Sequence, residues 1–188
     1  MKFVCTISGV EVVGILHDQL QTRAGAREQI RLALRALVAD VLSIDIERVA
    51  IASLAGQAPL LMVDDAPAAA GVSLAHDGWI SIAAYNAHGP VGVDVMQVQH
   101  TADWYNVAND YLGPDALGTL VATREAERPA AFAQAWTMRE ARLKFLGLAL
   151  SEWTELPDTC SVQAIAVPLG YVGMVAVSKE KGAAGPLP

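Results

Sequence analysis

Apolar and polar positions alternate across residues 1–16, with Gly9 and Gly14 interrupting the pattern; this predicts one or two strands turned or bulged at the glycines. From Ala26 to Leu42 the period changes. Positions 30, 34, 37, 38, 41 and 42 are apolar, the spacing of a helix, and Ser43-Ile44-Asp45 closes it. Short apolar runs follow at 49–54, 60–63, 72–75 and 79–85, separated by Gly56, Pro59, Asp64-Asp65-Ala66-Pro67 and Asp77-Gly78. That rhythm predicts an antiparallel sheet behind one helix. The turn cluster Asn86-Ala87-His88-Gly89-Pro90 is the expected boundary between two lobes.

The second half follows a similar plan. A β-branched strand at 91–98 leads into helical patterning from about 103 to 149, broken near Gly113-Pro114 and Arg128-Pro129. Two strands are expected at about 160–166 and 171–177, joined by Pro168-Leu169-Gly170. Each half thus offers a long helix and several strands, an α+β chain with lobes at 1–90 and 91–178. Residues 179–188 read as a flexible tail.

Two segments carry the candidate chemistry. Val91-Gly92-Val93-Asp94-Val95-Met96 is a buried-strand run holding one carboxylate, which needs a partner or a cation. In Trp136-Thr137-Met138-Arg139-Glu140-Ala141-Arg142-Leu143-Lys144, the residues Trp136, Glu140 and Lys144 fall at steps of four on one helix face. Taken alone, Glu140 and Lys144 are an ordinary surface ion pair contributing about 0.3–0.5 kcal/mol. Packed against Asp94, the same residues bring two carboxylates and an ammonium into one cleft, a set suited to a divalent cation on a polyphosphate.

Hydrophobic residues at 53% against 18% charged exclude a disordered chain. Two cysteines, Cys5 and Cys160, match neither a disulfide framework nor a metal spacing. With no leader-like or membrane-spanning stretch, a cytoplasmic protein is expected. The net charge of −7 argues against a nucleic-acid partner. Arg23, Arg27, Arg31 and Arg35 nonetheless concentrate positive charge in one stretch, either as a solvated helix face or as an anion patch.

Gly-Val-Asp-Val, followed 46 residues after its aspartate by the glutamate of Trp-Thr-x-Arg-Glu-Ala-x-x-Lys, resembles the signature of the 4′-phosphopantetheinyl transferases. Ser73-Leu74-Ala75-His76-Asp77, Gly56-Gln57-Ala58-Pro59 and the arginine-bearing segment 31–37 are similar to motifs of the broad-range, surfactin-synthetase-activating type. The resemblance implies two similar lobes related by a pseudo-twofold axis, each a small, mainly antiparallel sheet on a long helix. It implies transfer of the phosphopantetheine arm of coenzyme A to a serine of an acyl or peptidyl carrier protein. Asp94 and Glu140 would hold Mg²⁺, Glu140 would take the serine proton directly or through a water, and Lys144 would meet the leaving phosphate. His76, Arg139, Lys144, Arg31 and Arg27 would bind the coenzyme. Neither nucleic acid nor membrane is implied as a partner, and two lobes in one chain imply a monomer. Three positions depart from the pattern: Met96 replaces a second carboxylate, Ala75 a serine, and Gln57-Ala58 lack a base. They motivate an alternative, a catalytically weakened homologue acting as a carrier-protein or coenzyme A binding module. A third reading is an unrelated α+β protein matching by accident.

Overall fold

A computed structural model describes residues 1–18, 21–53 and 58–179. Gly56 and Gln57 of the Gly-to-Pro segment, and the expected tail from residue 180, lie outside the described residues. The chain runs β1 (Lys2–Ile7), β2 (Val10–Leu16), α1 (Arg23–Leu42), a 3₁₀ turn at Ile46–Arg48, β3 (Val49–Ala52), β4 (Leu60–Val63), β5 (Ala66–Pro67), β6 (Gly71–Asp77) and β7 (Ile80–Asn86). It continues with β8 (Val91–Gln97), α2 (Trp104–Tyr111), α3 (Pro114–Ala122), α4 (Arg128–Phe145), β9 (Cys160–Ile165) and β10 (Tyr171–Ser178). The class is α+β, with antiparallel pairing throughout the described strands.

One expectation is corrected. The strands of the first half form two sheets rather than one: β1-β2-β7-β6, and a small β3-β4-β5. The reason is α1, which stands between them. Ile30, Leu34, Leu37 and Val38 pack on Val13, Ala83 and Tyr85 of the larger sheet and also on Val49 and Leu61 of the smaller. The helix begins three residues before the apolar period does, because Thr22 caps it by accepting from the Gly25 N–H. In the second half, α4 ends at Phe145, short of the expected 149. Gly147, at φ +68, adopts the left-handed turn that stops it, and the Leu148 N–H closes back onto the Leu143 carbonyl.

Alternation along β7 and β8 explains the layering. Ile80, Ile82 and Ala84 meet Val91, Val93 and Val95 in the core between the larger first sheet and the β8-β10-β9 sheet. The odd positions of β7 face α1, and the even positions of β8 face α4. Edge strands β6 and β8 lie side by side, joined by side chains instead of a ladder. Ser73 Oγ accepts from the Val93 N–H at 3.0 Å, and Asp77 Oδ2 from the Gln97 N–H at 2.7 Å. No helix among the described residues is long and apolar enough to cross a membrane.

Candidate functional site

The site grows out of a match between two periods. Two strand residues advance about 6.6 Å and four helix residues about 6 Å, so alternate residues of β8 keep step with every fourth residue of α4. The two elements run antiparallel. Gly92 lies against Ala141 and Phe145, Asp94 against Lys144 with Glu140 nearby, and Met96 joins the cluster of Trp136 and Phe132. A Cβ on Gly92 would stand 2.0 Å from the Ala141 carbonyl oxygen and 2.5 Å from the Phe145 nitrogen. Both are backbone atoms, so strand and helix would have to separate. Gly92→Ala should therefore cost about 1–3 kcal/mol, visible as a lowered melting temperature; an unchanged melting temperature would refute this account of the spacing.

Lys144 Nζ lies 2.7 Å from Asp94 Oδ1 and also donates to the Val93 carbonyl at 3.1 Å. Asp94 is only 8% exposed. Burial raises its pKa from 3.8 to about 6, and the Glu140 carboxylate pushes the same way. Lys144 and the Val95 backbone N–H oppose the rise but do not cancel it. Glu140, half-buried one turn before Lys144, makes no side-chain hydrogen bond among the described residues. Met96, at the position of the absent second carboxylate, packs beside Trp104, Phe132 and Trp136. Its thioether contributes packing here, and is a poor partner for a hard cation.

His76 ends β6 on the face that carries α1, half-buried. Its pKa is lowered first by burial, then by Arg27, Arg23 and Lys144, while Asp77 works the other way. Arg27, Arg23 and Lys144 thus add positive potential at one imidazole, an environment that favours an anion. Beside Lys144 a cleft of about 320 Å³ opens between β6 and the chain leaving α4, walled by Pro59, Val72, Ser73, Leu74, Leu148 and Ala149.

The four N-terminal arginines separate into two pairs. Arg31 donates to the Ile51 carbonyl and to Ser53 Oγ at 2.6 Å, and Arg35 to the carbonyls of Val49 and Ile46. Those two fasten α1 to β3, and Arg31, expected on the coenzyme, is held there by Ile51 and Ser53. Arg23 and Arg27 are exposed and lie within electrostatic reach of His76. Arg139 points elsewhere, with its Nε and Nη2 buried and unpartnered among the described residues. It is 9% exposed, and its Nη1 donates to the Thr154 carbonyl at 2.8 Å, toward the segment after α4 and not toward Asp94. One residue beyond Met138 and one before Glu140, it stands about 100° around the helix from the glutamate. Arg23, absent from the residues expected on the coenzyme, is a further cation acting on His76; the arginine spacing was its only signal.

No curated protein matches the chain. Residues 90–176, the stretch from Pro90 through most of β10 that carries Asp94, Glu140 and Lys144, match the family model of the 4′-phosphopantetheinyl transferase superfamily.

Proposed function

We propose that this protein transfers the 4′-phosphopantetheine arm of coenzyme A to a serine hydroxyl of an acyl or peptidyl carrier protein, in a Mg²⁺-dependent reaction. The observation that carries the reading is the junction of Asp94, Glu140 and Lys144 on β8 and α4 with the cation-ringed His76 on β6. The family similarity covers only the first part of that junction. We also read the two sheets facing across the core, one backed by α1 and the other by α4, as lobes 1–90 and 91–178 of a pseudo-twofold, broad-range enzyme.

Among the described residues no group of three or more His, Cys, Asp or Glu side chains comes together as a metal site. Asp94 and Glu140 still fit Mg²⁺, which keeps few protein ligands and takes the rest from phosphate and water. Bound there, the ion would neutralise charge on the diphosphate. The chain's own residues do the remaining work. Arg23, Arg27 and His76 offer positive charge and N–H donors to the coenzyme's phosphates. The carrier serine oxygen bonds to the phosphorus bearing the pantetheine arm, while the bond from that phosphorus to the bridging oxygen breaks. Glu140 takes the serine proton. Lys144 compensates the charge that grows on departing adenosine 3′,5′-bisphosphate.

Incubating the protein with coenzyme A, Mg²⁺ and several apo carrier proteins tests the reading by intact mass of the carrier. A carrier heavier by one phosphopantetheine is expected. Coenzyme A binding with no modified carrier would instead establish the binding-module alternative. His76→Ala should raise the dissociation constant for coenzyme A about tenfold, the scale of one charge-assisted contact, and leave saturated turnover nearly intact. An unchanged constant by calorimetry would remove His76 from the ligand site.

A further inference from the structure

We propose that His17 is a positioning residue that holds the first two turns of α1, and with them Arg23 and Arg27, over His76. The inference rests on the functional reading above for its ligand, but its geometry stands apart from it. His17 directly follows β2, and its backbone N–H continues the ladder onto the Trp79 carbonyl at 2.7 Å. Its ring lies on the α1-facing side of the sheet, because Ile15 two residues earlier packs there. Nε2 is 2.8 Å from Ser81 Oγ, and Nδ1 is 3.1 Å from Gln29 Oε1. Ser81 is the cross-strand partner of His76 and is wholly buried. The row across β2, β7 and β6 is Ile15, Ser81 and His76, and His17, just past the end of β2, reaches Ser81 diagonally from beside it, under the second turn of α1.

A side-chain amide oxygen only accepts, so Nδ1 carries the proton and donates to Gln29. Nε2 shares the other hydrogen bond with the Ser81 hydroxyl, which has no further side-chain partner among the described residues. Among the described residues, His17 makes no hydrogen bond to His76 or to either arginine. What it contributes is placement. The later turns of α1 are held by Ile30, Leu34, Leu37 and Val38 in the core and by Arg31 and Arg35 on β3. Among the described residues, His17–Gln29 is the only side-chain hydrogen bond from the first two turns of the helix to the sheet. Without it, Arg23 and Arg27 would remain on the helix while their distance to His76 ceased to be set.

Gln29→Ala is the informative substitution, since Gln29 is exposed, touches no proposed ligand and sits in a helix that favours alanine. The dissociation constant for coenzyme A should rise about threefold to tenfold, with saturated turnover and melting temperature unchanged. Gln29→Glu, which keeps an acceptor for Nδ1, should restore binding. A second readout needs no coenzyme. With Arg23 and Arg27 no longer held close, the His76 imidazole should titrate at higher pH by NMR in Gln29→Ala than in wild type. His17→Phe should reproduce both effects at reduced stability, because it also leaves the buried Ser81 hydroxyl unpaired. If Gln29→Ala changes neither coenzyme affinity nor the His76 titration, His17 is a structural residue only. If wild type binds no coenzyme A while the His76 titration still responds, the functional reading fails and the positioning role stands.

Discussion

Asp94→Asn should abolish carrier modification, lowering turnover about 10³-fold, without lowering the melting temperature. The two halves of this expectation share one cause. Asp94 sits at 8% exposure with its pKa raised from 3.8 to about 6, so ionisation is more favourable in the unfolded chain than in the fold. For a carboxyl raised in this way, the stabilising contribution is complete below the unfolded value and is lost as pH rises through the folded one. At neutral pH that loss amounts to about 3 kcal/mol. An amide removes the penalty, and Lys144, with 29% of its side chain exposed, keeps the Val93 carbonyl and solvent. The same pKa predicts an acid limb in the wild-type rate. Activity should fall about tenfold per pH unit below about 6 as Asp94 takes up its proton, and raising Mg²⁺ should move that limb to lower pH, because the cation favours the ionised form. Denaturation and rate profiles of both proteins check the account. A steep drop in the melting temperature of Asp94→Asn would make the carboxylate a structural group.

The parts of this site that sequence exposes are those set by local period. Strand 91–97 and the stripe Trp136, Glu140, Lys144 follow from alternation and from steps of four, and the structure packs them together. What remained hidden depends on which faces meet. Four arginines at steps of four look like one patch, yet each step turns about 40° further around the helix and advances about 6 Å. By Arg31 and Arg35 the stripe has rotated onto β3, and Arg23 and Arg27 are the two whose charge acts on His76. Arg139 carries the charge expected beside the glutamate, but its place on the helix sends it to the Thr154 carbonyl. The separate β3-β4-β5 sheet was equally unreadable, since short apolar runs state that strands exist and not which strands pair. His17 follows a strand with no motif around it, and only the register linking Ser81 to His76 gives it a role.

Lys144→Met should lower turnover by about 10²–10³-fold and, at the same time, strengthen divalent-cation binding in the absence of coenzyme A. The first effect follows from the proposed role of the ammonium beside the departing phosphate: its charge would be needed most as the bond breaks, so turnover would suffer more than coenzyme affinity. The second follows from the resting geometry. Lys144 Nζ lies 2.7 Å from Asp94 Oδ1, so in the free protein the lysine is already the counter-cation of the buried carboxylate. A metal ion must displace it, with only Glu140 as a second protein carboxylate. On the proposed function, coenzyme A would relieve the competition by offering Lys144 a phosphate and the ion further oxygens, so the two ligands would bind with positive coupling. Mn²⁺ titrated at pH 8, where Asp94 is ionised, and followed by electron paramagnetic resonance separates the cases. Wild type should bind Mn²⁺ weakly alone and tightly with coenzyme A present. Lys144→Met should bind it about tenfold more tightly than wild type when the coenzyme is absent, and should show less enhancement on adding it. Equal Mn²⁺ affinities in the two coenzyme-free proteins would mean that the lysine does not guard Asp94.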